Sequence, residues 1–166
     1  MVWISLTPTP STTPTTTTTS IEATMQVPTP IRETTKYQDS KWLTMYVSDM
    51  TQVNTDMKSL TIVAKNYDTT SLSKYADTLH ADSQRAVENN DLCNISPDLQ
   101  DAKDEYRLAM LQANKVAVYA KSGVEEYNNK NLVALNSDVK KAIECVKSYN
   151  EHIQKVVKLS KNSKPT

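Results

Sequence analysis

Apolar residues recur along this chain at alternating steps of three and four from position 43 onward, the spacing that turns one face of an α-helix toward its neighbours. The first ladder is Leu43, Tyr46, Met50, Val53, Met57, Leu60, Ala64 and Tyr67, preceded by Asp39 and Ser40, which suit N-caps. Turn-forming residues from Asn66 to Thr70 interrupt it. A second ladder, Leu72, Tyr75, Ala76, Leu79, Ser83, Ala86 and Val87, ends in the polar run Glu88 to Asp91. The best-specified helix start is Ser96-Pro97-Asp98. There the hydroxyl can accept from a free amide, Pro forfeits no bonded N–H, and Asp faces the positive end of the dipole. From it Leu99, Ala102, Tyr106, Ala109, Ala113, Val116, Ala120, Gly123 and Tyr127 keep the rhythm as far as the turn Asn128 to Asn131. The last ladder is Leu132, Leu135, Val139, Ala142, Val146, Tyr149, Ile153 and Val156, with Lys155, Lys158 and Lys161 near the end where cations suit the dipole.

Four amphipathic stripes joined by short turns predict an all-α fold, an antiparallel up-down-up-down four-helix bundle. Its helices are expected over 40–65, 70–90, 97–128 and 131–160, inside a domain of 36–161 followed by a disordered C-terminus at 162–166. Tyr46, Tyr67, Tyr75, Tyr106, Tyr127 and Tyr149 all fall on the inward stripe and much of the remainder is Ala, so large rings should face small partners. Each phenol needs a hydrogen-bond partner, so polar spots are expected in the core. The single glycine, Gly123, also falls on the stripe; it reads either as room for a neighbouring backbone or as a C-cap ending the helix near Ser122.

Residues 1–35 have a different chemistry. Eleven of the 26 residues from Ser5 to Pro30 are Thr and five are Pro, so the segment cannot bury enough apolar surface to offset its ordering entropy. It reads as a disordered tail, either an O-glycosylated stalk or a plain flexible linker. The apolar start Met1 to Leu6 is too short and lacks the basic flank of a signal peptide, and no stretch suits direct membrane insertion. Phe is absent and Gly occurs once, which speaks against an all-β fold. Lys plus Arg and Asp plus Glu stand at 19 each, leaving no net field to draw a nucleic acid, so none is expected as a partner.

Candidate chemistry is sparse. His80 and His152 are the only histidines, and HExxH, phosphate-binding Gly-rich loops and CxxC pairs are absent. Asp77, His80 and Asp82 can meet on one part of the second helix, but such charges are ordinarily a solvated face; no catalytic residue, metal site or cofactor is expected. Cys93 and Cys145 are a candidate disulfide if the protein is exported. The helical rise puts Cys145 about 20 Å below a turn at Asn131 but about 30 Å below one at Gly123, so the pairing depends on where the third helix ends. Asn94-Ile95-Ser96 is a possible N-glycosylation sequon, hindered by the Pro97 that follows. Tyr67, Tyr75 and Tyr127 should gather at one end of the bundle, where they could floor a small-ligand pocket or simply line the core's edge.

The stretches Leu79 to Ala86 and Ile95 to Tyr106, continuing through Ala120-Lys121-Ser122-Gly123-Val124 into the fourth helix, resemble helical-bundle segments of uncharacterised secreted or lipid-anchored proteins of methanogenic archaea. The resemblance implies a bundle behind a Thr/Pro-rich tail at the cell surface, and supplies no site residue. Those proteins carry a lipid-accepting cysteine near the start, whereas none precedes Cys93 here. The functional expectation is a non-enzymatic extracellular or cell-surface module with a protein or small-molecule partner. A sensory or small-ligand-binding bundle and an intracellular, cytoplasmic adaptor are the alternatives. Flanking apolar residues Ile62, Val63, Met110 and Ile143 would allow a weak homodimer or a wider core stripe.

Overall fold

A computed structural model describes residues 36–162; the expectations for 1–35 and for the last four residues lie outside them. The described residues form four helices and no strand: α1 (Asp39–Lys65), α2 (Thr69–Leu92), α3 (Pro97–Asn128) and α4 (Leu132–Asn162). They run up, down, up and down, as the stripes predict. Among them no helix is long and apolar enough to cross a membrane.

Two of the three turns are built alike. α1 ends with Tyr67 N–H donating to Ala64 O and Asp68 N–H to Val63 O, each at 3.2 Å; α3 ends with Lys130 N–H donating to Tyr127 O and Asn131 N–H to Glu126 O, at 3.0 and 2.9 Å. These are paired Schellman bonds, which require a left-handed residue just past the cap. Tyr67 (φ 54°) and Lys130 (φ 59°) fill that place, not glycine. In each case the next residue starts the following helix: the Asp68 carboxylate accepts from Ser71 N–H at 3.0 Å and the Asn131 side-chain carbonyl from Ala134 N–H at 3.3 Å. Gly123 lies inside α3, so the C-cap reading of it fails.

The third connection, Cys93 to Ser96, is tied to the start of α1. Gln38 N–H donates to Asn94 O and Ser96 N–H to the buried Asp39 carboxylate, both at 2.8 Å. Asp39 is therefore not an N-cap for its own helix but the clasp between the first residues of α1 and α3. Ser96 occupies the cap position of α3, yet its hydroxyl makes no capping bond.

α3 is the central helix and packs against all three others, whereas α1 and α4 make no close backbone approach and α1 leans toward α3 instead. Where α1 and α4 do meet, they meet through side chains. Tyr149 donates its hydroxyl to Asn54 Oδ1 at 3.1 Å, and Tyr46 Oη lies 3.5 Å from Ser160 Oγ. Trp42, Tyr46 and Tyr106 fill the interior beside them, with ring centroids 5.1 to 6.3 Å apart in tilted and edge-on contacts. The Trp42 indole N–H donates to buried Asn90 Oδ1 at 2.8 Å. Tyr46, Tyr106 and Tyr149 are buried, as expected of the inward stripe. Tyr67 and Tyr127 are not: at 81% and 47% exposure they stand at the rim of the turn end. Met110 is wholly buried in the core and so offers nothing to a second copy, while Ile62 and Ile143 remain about half exposed.

Candidate functional site

The tyrosine spacers stop halfway up. Above Asn54 and Tyr149 the facing positions hold Leu60 and Ala64 on α1 and Val139, Ala142 and Ile143 on α4, none large enough to span two helices kept apart by rings below. The seam therefore stays open toward the two Schellman turns, and a trough of about 890 Å³ results. Leu60, Thr61, Ala64 and Lys65 of α1 form one bank, with Tyr67 at the rim and Thr69 and Leu72 of α2 beside it. Leu132, Leu135, Asn136, Val139, Ala142, Ile143, Val146 and Lys147 of α4 form the other. Val116, Tyr119, Ala120, Gly123, Val124 and Tyr127 of α3 are the floor.

The exposure of α4 follows from this gap. Its periodic stripe points inward as predicted, but the inward side is covered only in its second half. Tyr149 and Val156 are buried, while Leu132 is 66% and Val139 46% exposed on the open half. Gly123 deepens the floor. A Cβ there would meet only Leu135 Cδ1, at an ordinary 3.4 Å, so the close approach of a neighbouring backbone that its position predicts is not found.

Of the three predicted site tyrosines, Tyr67 and Tyr127 line the trough, whereas Tyr75 lies half buried on α2 outside its walls. Apolar groove residues on α4 were assigned to the core by periodicity. What betrays them as a surface is the scarcity of large residues opposite them on α1 and α3, where Ala64, Ala120 and Gly123 stand. Two lysines that no periodicity or motif marks complete the lining. Among the described residues Lys65 and Lys147 are the only charged side chains in the lining, no carboxylate is among it, and neither ammonium forms an ion pair. By contrast Lys141, outside the wall, is fixed by Asp138 at 3.3 Å and lies 5.4 Å over the Tyr119 ring.

The other polar groups are dispersed. Asp77 pairs with Lys121 at 2.6 Å, His80 Nδ1 lies 3.1 Å from the Asn114 amide, and Asp82 pairs with Arg85 at 2.7 Å, so the three do not converge. His152 meets Glu105, which also holds Lys155 at 3.2 Å. Among the described residues no group of His, Cys, Asp or Glu is arranged to hold a metal ion. Cys93 and Cys145 are both buried and free, which corrects the disulfide expectation. α3 runs to Asn128, so helical rise puts Cys145 about 20 Å and Cys93 about 36 Å below the turn end, too far apart in depth for a bond that needs Cα atoms within about 7 Å. Burial raises the Cys145 thiol above its ordinary range. Asn94 is exposed while its sequon partner Ser96 is buried.

A buried acidic cluster lies against α2, away from the trough. Burial first, and the facing Asp82 carboxyl second, push Asp56 up to about 6. Asp49 is also raised, by burial, and the Tyr106 phenol is raised by burial and by the Asp49 charge. Asp49 Oδ2, Asp56 Oδ2 and Tyr106 Oη end in the interior with no hydrogen bond of good geometry to a described residue, although the Tyr106 phenol faces the Asp49 carboxylate and Asp56 faces Asp82.

No family model, curated protein or solved structure matches the chain, so what the trough can hold is decided by its own shape and chemistry.

Proposed function

We propose that this bundle is a non-enzymatic binding module and that the trough between α1, α3 and α4 is its site for an elongated, largely apolar small molecule. The observation that carries the reading is the open seam: a concave apolar channel of about 890 Å³, within the size range of small-molecule sites, bounded by helices on three sides. Apolar side chains left uncovered over such a length are what a ligand would remove from water.

The Thr/Pro-rich N-terminal segment, residues 1–35, supports placement outside the cell, with the bundle held off a surface by a stalk. Two free buried thiols are the observation that favours the other placement, an intracellular adaptor, since exported proteins tend to bridge their cysteines.

Titration of the full chain with the neutral solvatochromic dye Nile red tests the binding reading. Saturable binding is expected. Ala120→Trp, which stands a ring on the floor, should weaken it by at least about tenfold, or ~1.4 kcal/mol, while helical circular dichroism stays that of the wild type. Absence of saturable binding, or equal binding by a folded Ala120→Trp variant, contradicts the reading.

A further inference from the structure

We infer that the trough selects a single-chain amphiphile with an anionic head, a long-chain aliphatic carboxylate being the simplest, and that Lys65 and Lys147, one near each end, are alternative partners for that head in the two directions in which the chain can lie; this rests on the binding reading above. The lining is apolar apart from a few neutral polar groups and those two cations. They bracket it: Lys65 is the last residue of α1, beside the turn end, while Lys147 lies 15 residues into α4, about 22 Å down the channel. With a cation near each end and aliphatic walls between them, a molecule that is apolar along its length and anionic at one tip finds a partner for that tip whichever way it lies. Among the described residues no carboxylate enters the lining and none pairs with either lysine, so both ammonium groups are available to an anion. Lys65 also suits the negative end of the α1 dipole, but Lys147 stands in mid-helix, where the dipole gives no reason for a cation.

Charge separates this occupant from a second copy of the chain. A second copy of this bundle docked face to face would bring the same two lysines back against themselves, with no acidic residue in either lining to pair them.

The test is displacement of bound Nile red from the full chain by hexadecanoate, by hexadecan-1-ol and by hexadecyltrimethylammonium, each kept below its micellar concentration. Wild type should bind the carboxylate at least about tenfold more tightly than the alcohol, and the cation most weakly. Lys65→Met with Lys147→Met should erase the preference for the acid while leaving the affinity for the alcohol unchanged. Both substitutions are at lysines without ion-pair partners on a helix end and an exposed helix face, so the fold is expected to survive, and Ala120→Trp provides the blocked control. Equal binding of acid and alcohol by wild type, or a preference that persists in the double variant, overturns the anionic-head inference and leaves the binding reading standing. No saturable binding of the dye or any of the three amphiphiles overturns both. Concentration-dependent dimerisation that removes the dye site, with no effect of the acid, assigns the trough to a second copy and overturns the inference as well.

Discussion

Asp56 occupies a position on α1 where the sequence rhythm predicts a neighbour, Met57. The stripe that α1 buries is Asp39, Trp42, Tyr46, Val53, Asp56 and Leu60, with Asp49 half covered on the same line: it keeps Tyr46, Val53 and Leu60 of the predicted ladder and puts Trp42, Asp49 and Asp56 where the ladder has Leu43, Met50 and Met57. Scoring positions by hydrophobicity follows the methionines and passes over Trp42, which is fully buried, because three of the seven buried-side positions are aspartates. Those aspartates give a pH signature. An Asp56 carboxyl raised from 3.8 to about 6 keeps its proton in the native state after the unfolded chain has released it. Through that window the unfolded state binds fewer protons, so native stability falls as pH rises from about 4 to 6 and then levels off. Asp56→Asn should remove this loss. At pH 7 the variant should be more stable than wild type by about 1–3 kcal/mol, the upper figure being two units at ~1.36 kcal/mol each, and the gap should close toward pH 4. Urea denaturation at the two pH values reads it, and a variant less stable than wild type at pH 7 would show that the carboxylate is needed as an acceptor.

Helix ends were easier to place than helix faces. Asn-Tyr-Asp and Asn-Lys-Asn are turn-forming triplets flanked by periodic stretches, and each marks the true end of one helix and the start of the next to within a residue or two. The register of α2, α3 and the second half of α4 was legible for the same reason, since few polar residues there compete with the apolar stripe. Gly123 offers an earlier end for α3, because glycine is the commonest residue at the left-handed position after a helix, but α3 runs on to Asn128 as its apolar rhythm predicts and this chain puts lysine at that position. A non-glycine residue in the left-handed region costs about 1–2 kcal/mol, of which a glycine's extra freedom in the unfolded chain gives back part. Lys130 is exposed at φ 59° and no side-chain bond of it is used in the turn. Lys130→Gly should therefore raise the melting temperature by about 2–5 °C. Asn129→Gly, at φ −79°, gains nothing from that source and should lower it or leave it unchanged. A Lys130→Gly variant that melts below wild type would contradict the Schellman assignment of this turn.

At the scale of the whole molecule the bundle is unevenly filled. Rings occupy the half that carries Trp42, Tyr46, Tyr106 and Tyr149, while the half near the Schellman turns keeps its apolar side chains around an unfilled channel. The sequence pattern contains the inward stripes of both halves equally. It does not contain the distance between α1 and α4, which is set by how tall the opposing side chains are once packed. Local stability follows buried apolar contact, so the two halves should open separately. In native-state hydrogen exchange, backbone amides of residues 61–65 and 136–143 should exchange on the order of tenfold faster than those around Trp42, Tyr106 and Tyr149, although all lie within continuous helices. Denaturant at low concentration should leave the first group unchanged, because local opening exposes little new surface, and accelerate the second, which opens only with the whole domain. A ligand seated in the trough would slow the first group selectively, since binding stabilises whatever must be closed to bind it. Equal protection at both ends, with one denaturant dependence throughout, would mean that the channel half is held as firmly as the ring-filled half and that the bundle opens as a single unit.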